Sequence, residues 1–232
     1  MSKMQSNWDY LDFLKAYYDS LVSVIEYIKK CKTDAEKKRY TKNAYRLNYD
    51  KLHRCARDRF NRLDLISKEL VRIEQEIKKF SKKGRKPGKF NKGTPDHIFG
   101  RTKSTVSFIS TFKKNIPTFY NFVKMVLYHG QIIYIESNEH HIITGRCKRK
   151  KNIDGNMPNS IDCYVMSDGK ENIQLVSRIT GKIIPQKDWK NYLLMYNKDG
   201  KYYVNKKLVG KDHSITQLLK DTKHFCKDHD IK

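Results

Sequence analysis

Residues 78–93, KKFSKKGRKPGKFNKG, hold eight Lys or Arg in sixteen positions and no acid. Cations clustered on an extended chain neutralise phosphates, so Lys82, Lys83, Arg85, Lys86, Lys89 and Lys92 form the first set of expected nucleic-acid contacts. Lys86 stands between Arg85 and Pro87, which departs from the Arg-Gly-Arg-Pro order of AT-hook segments that enter the minor groove. A nuclear localisation signal or a solvated linker needs no more than the same cations. A second set is Arg146, Lys148, Arg149, Lys150 and Lys151. With HHIITGRC read as a strand, these residues form a cationic lip beside Tyr and His side chains, suited to a phosphate backbone and splayed bases. The same lysines could instead blunt an edge strand. A third group, Lys37, Lys38, Arg39, Lys42, Arg46, Arg54, Arg57 and Arg62, falls mostly along one helix face, diluted by Asp50, Asp58 and Asp64.

Carboxylates and metal ligands give weaker patterns. Pro95-Asp96 with Asp168-Gly169-Lys170 imitates the two acids and lysine of a metal-dependent nuclease, yet Asp-Gly-Lys recurs at 199–201, as a hairpin turn favours. Glu136, Glu139, His140 and His141 have the types to activate water or hold magnesium. Cys226-x2-His229 supplies two ligands of zinc type, but no second close pair accompanies it. No phosphate-binding glycine loop, nucleophile elbow or HExxH occurs. These residues assign no catalytic site, metal or cofactor; a metal-dependent nuclease is the third reading, after an architectural nucleic-acid-binding protein and an assembly scaffold that meets acidic protein surfaces.

Composition sets the same order. The chain has 232 residues with 49 Lys or Arg against 25 acids, a net charge of +24, which favours polyanionic partners. Lys, Asn, Ile and Tyr are abundant, as A/T-rich coding produces, and the combination fits a virion or mobile-element component. No apolar run reaches the length of a bilayer span, and MSKMQSNWDY lacks a signal-peptide core. Five cysteines, odd in number and without a CxxC pair, point to a reducing intracellular compartment.

The elements that must position these residues follow from periodicity. Leu11, Leu14, Tyr18, Leu21, Ile25 and Ile28 recur at helical spacing after a cap at Ser6, and Thr33 with Glu36 reads as a capping box. No Gly or Pro interrupts the next stretch until Phe80, so one long second helix is expected. Its seam leaves Leu63, Ile66, Leu70, Ile73, Ile77 and Phe80 as an unpaired apolar stripe for self-association. The expected fold is α+β: a helical hairpin or coiled coil over 1–80, a basic Gly/Pro linker over 81–103, and a helix with a small antiparallel, barrel-like β domain over 104–232. Within the last region a helix over 104–128 restarts at Pro117; QIIYIES, HHIITGRC, IDCYVMS, NIQLVSRI and a hairpin about Asp199-Gly200 supply strands, and Ser214 opens a final helix.

Overall fold

The protein is α+β, and this computed structural model describes residues 3–56, 59–82, 93–154, 159–165, 172–198, 201–209 and 214–231. In chain order the elements are α1 (Lys3–Lys30), α2 (Asp34–Ala56), β1 (Arg62–Ser67), α3 (Lys68–Lys82), β2 (Thr94–His97), α4 (Arg101–Lys114), α5 (Phe119–His129), β3 (Ile132–Ile135), α6 (Ser137–Asp154), β4 (Leu175–Ser177), β5 (Met195–Lys198), β6 (Lys201–Val204), α7 (Lys206–Val209) and α8 (Ser214–Asp228). They form two compact units. Unit 1 takes Met1–Asn61, Arg101–Gly130 and Leu194–Lys232; unit 2 takes Arg62–Gly100 and Gln131–Leu193. Both units thus draw on sequence before and after the basic run, in contrast to the expected division at 80 and 104.

Unit 1 is helical with one hairpin. Leu11, Leu14, Tyr17, Leu21, Ile25 and Ile28 form the buried face of α1. At the turn into α2, the Glu36 amide donates to Thr33 Oγ1 (3.2 Å) and the Thr33 amide to Glu36 Oε2 (3.4 Å), the reciprocal capping expected there. Buried Ala44, Asn48, Leu52 and Cys55 form the inner face of α2, where Tyr17 donates its hydroxyl proton to Asn48 Oδ1. Thr118 caps α5, so Pro117 sits just before the helix, not in its first turn. Phe112, Phe119 and Phe122 of α4 and α5 pack around Tyr18, and Phe225 of α8 packs on Phe119 and Trp8. β5 and β6 pair antiparallel from Met195↔Val204 to Lys198↔Lys201, as expected; their connecting Asp199-Gly200 lies outside the described residues.

Unit 2 contains a four-stranded sheet in the order β2-β3-β1-β4. β1 and β3 are parallel, and β2 and β4 flank them antiparallel. The sheet is therefore mixed, and no closed barrel forms among the described residues. The long second helix is also corrected. It ends at Ala56, and residues 62–67 form β1 instead, because a short apolar run such as Leu63-Asp64-Leu65-Ile66 is compatible with either period. Partners on both edges then decide for strand. Ser67 Oγ accepts from the Leu70 amide (3.2 Å) and so begins α3.

The proposed assembly stripe is removed by the same change. Leu63, Ile66 and Leu70 are 5%, 1% and 2% exposed, inside unit 2. Ile73 and Ile77 are half-buried on α3, and the side chain of Phe80 is outside the description.

Two further stretches expected as strands form none among the described residues. HHIITGRC lies within α6, and Ser160–Cys163 forms a short 3-10 turn. The helix wins over the β-branched Ile142-Ile143-Thr144 because its start is reciprocally capped. Glu136 Oε2 accepts from the amides of Asn138 (2.6 Å) and Glu139 (3.2 Å), while Glu139 Oε2 accepts from the Glu136 amide (3.0 Å). Among the described residues no helix is long and apolar enough to cross a membrane.

Candidate nucleic-acid interface

The first basic set mostly escapes structural description: Lys83, Arg85, Lys86, Lys89 and Lys92 lie outside the described residues, and of Lys82 only its place at the end of α3 is described. The second set divides. Arg146 is fully buried and donates from Nη1 to the carbonyl oxygens of Cys163 (3.3 Å) and Tyr164 (3.0 Å), so it is a structural clamp and not a phosphate contact. Lys148 and Arg149 are exposed on α6, Lys150 is half-buried, and Lys151 is described only as helical. The expected lip on a sheet edge is therefore a helix face.

Periodicity explains this division. On a helix with 3.6 residues per turn, Arg146 points the way of buried Ile143, three residues earlier, while Lys148 and Arg149 rotate outward. On a strand, by contrast, Arg146 and Lys148 would share a face.

Unit 1 gathers a set of cations that the sequence reading did not single out. One face of α5 carries Tyr120 and Lys124, and one face of α8 carries Lys220 and Lys223. Lys124 Nζ sits 4.6 Å and Lys223 Nζ 5.6 Å from the Tyr120 ring centroid. The ring's negative face holds both ammonium groups. Beside them is a cleft of about 690 Å³ lined by Tyr120, Val204, Lys206, Thr216, Leu219, Lys220 and Lys223. Its walls are apolar and aromatic, and its charged groups are all lysines. No carboxylate pairs with Lys124, Lys206, Lys220 or Lys223 among the described residues. Partial burial, and then the neighbouring Lys223, hold the Lys124 ammonium below its usual range. Burial likewise pushes the Tyr120 phenol up. The sequence did contain a signal: Tyr120/Lys124 at i,i+4 and Lys220/Lys223 at i,i+3. What it could not give is that a segment near residue 120 meets one near residue 220.

The α2 face adds to the same unit. Lys37, Lys38, Arg39, Lys42, Arg46 and Arg54 are all exposed, with Lys37 3.8 Å from Asp34. Arg62 belongs to β1, and Arg57 lies outside the described residues.

The carboxylates considered for metal chemistry occupy structural places in unit 2. Asp96 is 6% exposed; Tyr164 donates its hydroxyl to Oδ2 (2.7 Å), and His140 Nε2 lies 3.6 Å from Oδ1. Burial pushes the Asp96 carboxyl up, against the lowering pull of Tyr164, Ser160 and His140. Glu136 and Glu139 cap α6, as described above. Asp168, Gly169 and Lys170 lie outside the described residues. His229 stacks on Phe225 with ring centroids 4.2 Å apart, and no cluster of three metal-ligating side chains forms among the described residues.

No protein-family model matches the chain, no curated protein matches its sequence, and no solved structure matches its fold.

Proposed function

We propose that the protein binds nucleic acid by contacts to phosphate, largely independent of sequence, with the Tyr120 cleft of unit 1 as its centre. The reading is carried by two lysines over the Tyr120 ring, Lys124 and Lys223, with Lys206 and Lys220 lining the cleft beside it, and no carboxylate paired with any of the four among the described residues. Like charges held close together repel, and a bound anion relieves that repulsion. The apolar floor formed by Tyr120, Val204 and Leu219 extends the argument from any anion to a nucleotide chain. Phosphates would meet the ammonium groups, and a sugar or unstacked base would lie on the floor, the combination that single-strand binding uses. The exposed cations of α2 and the run at residues 82–92 would supply further backbone contacts, with Lys148 and Arg149 as a smaller addition.

The test is binding of a labelled single-stranded oligonucleotide and a duplex of the same sequence at roughly 50 and 200 mM salt. Four phosphate contacts on a single strand should weaken affinity about 50-fold across that interval. Changing Lys124, Lys220 and Lys223 together to Gln should flatten the logarithmic salt slope by about 2. An unchanged slope in that variant would remove the cleft from the interface. If an acidic protein binds but neither nucleic acid does, the scaffold reading replaces this one.

A further inference from the structure

Unit 2 holds two of the five cysteines, and they face each other. Cys147 on α6 places its Sγ 2.9 Å from Cys163 Sγ at the end of the 160–163 turn, sixteen residues away in sequence. That separation is shorter than two unbonded sulfurs normally keep and not far beyond a sulfur–sulfur bond of about 2.05 Å. The other three cysteines, Cys31, Cys55 and Cys226, belong to unit 1.

The two elements are already fixed against each other. Arg146, next to Cys147, is bonded to the carbonyls of Cys163 and Tyr164. Tyr164 is itself held by Asp96 on β2, and the Ser160 hydroxyl donates to the His97 carbonyl. These contacts hold the two elements together without the bridge and keep the sulfurs 2.9 Å apart, so that neither element has to be recruited from elsewhere to form it.

We infer that Cys147 and Cys163 form a reversible intramolecular disulfide when the protein meets a peroxide. Cys147 is partly open to solvent and Cys163 is sealed, so the oxidant reaches Cys147 first. The peroxide O–O bond breaks as the Cys147 sulfur takes one oxygen; the thiol becomes a sulfenic acid and one water leaves. Cys163 sulfur then attacks Cys147 sulfur, the S–S bond forms, and the displaced hydroxide departs with the Cys163 proton as a second water. Two thiols are oxidised and one hydrogen peroxide is reduced to two waters. Before oxidation the Cys147 S–H donates toward Cys163, which with nearby Lys150 holds the Cys163 thiol below its usual range and pushes Cys147 up, so solvent access and not acidity selects Cys147 as the first site. Once Cys147 carries oxygen that hydrogen bond is gone, and Lys150 remains the charge that favours Cys163 as the attacking sulfur. A dithiol reductant reverses the bridge by exchange. This inference is independent of the nucleic-acid reading.

The test treats the full-length protein with a small excess of hydrogen peroxide, blocks remaining thiols by alkylation, and maps digested peptides by mass. The expected result is one linked peptide pair joining Cys147 to Cys163, lighter than the two thiol peptides by two hydrogens. Alkylatable thiols should fall from five to three and return with dithiothreitol. Cys147→Ser should abolish the link, and Cys55→Ser should leave it intact. Because the mapping uses the unaltered chain, it decides the matter even if a variant does not fold. Five thiols still alkylatable, a bridge between molecules, or a bridge to any unit 1 cysteine would overturn the inference.

Discussion

Unit 1 and unit 2 each carry a groove bordered by charged side chains, and they treat those charges in opposite ways. Around the Tyr120 cleft of unit 1 the lysines have no acidic partner among the described residues. Along the groove of about 970 Å³ in unit 2, Arg72 is bonded to both Glu69 and Glu76 at 2.5 Å, and Lys68 donates to Gln174 at 3.1 Å. Overall charge follows the same line. Outside the run at 78–93, unit 2 has 13 Lys or Arg against 12 acids, whereas unit 1 has 28 against 13. A net charge of +24 therefore describes neither unit by itself. Positive charge that is neutralised locally contributes little to attracting a polyanion, so the unpaired lysines matter more than their number.

The two units also bury titratable groups with opposite consequences for acid stability, and this gives the largest effect to look for. In unit 1, burial holds His129 down to about 3, whereas in the unfolded chain it titrates near 6.5. Its neutral ring contributes stability that is full above about pH 6.5 and is lost as pH falls toward about 3, on the order of 5 kcal/mol in all. In unit 2, Asp96 is pushed up by burial, so its contribution is full below the ordinary carboxylate value of about 3.9 and is lost as pH rises through its folded value. Denaturant titrations between about pH 7.5 and 4.5 should show His129→Gln losing less stability on acidification than the unaltered protein. Asp96→Asn should remove the opposing loss as pH rises. An identical acid slope in the His129 variant would break the contrast.

A smaller effect concerns the buried cation of unit 2. Arg146→Ala empties the space of a fully buried side chain and takes one donor from each of two carbonyls, of which that of Tyr164 keeps the Ile173 amide at 2.9 Å, and should cost about 3 kcal/mol by denaturant unfolding. Because Arg146 does not reach solvent, affinity for nucleic acid per folded molecule should be unchanged. A loss of affinity without loss of stability would return Arg146 to the interface. The smallest effect is expected for Tyr164→Phe, which removes one hydrogen bond to Asp96 at a cost of about 1 kcal/mol and should push the Asp96 carboxyl up further. Carboxylate titration followed by NMR would measure that displacement, and a downward displacement would contradict the assignment.

Legibility from sequence depended on how local the deciding interaction was. Thr33 and Glu36 cap their helix across three residues, and Met195–Val204 folds back on itself, so both were readable. Leu63 and Ile66 were not, because their choice between helix and strand is settled by β3 and β4, more than sixty residues away. Glu136 and Glu139 were weighed as metal ligands when their spacing also suits a capping box with Glu as the cap, which was the available clue to α6. The buried Arg146 followed from that same misreading, since only the helical period turns it away from Lys148. The Tyr120 cluster was half legible: each helix shows its own pair, and only the packing of α5 against α8 unites them.

The hydrogen bond from Asn7 to Asp221, 214 residues apart at 2.8 Å, and the edge contact of Trp8 with Phe225 have a consequence during synthesis. α1 leaves the ribosome long before α8. At about 5–20 residues per second, the interval between the two is on the order of 10–40 s. Throughout that time the part of α1 that α8 will cover lacks its contacts with α8. The helix that covers this part of unit 1 is thus made long after the helix it covers, and a chain arrested before residue 214 would emerge without the Phe225 ring that packs on Trp8.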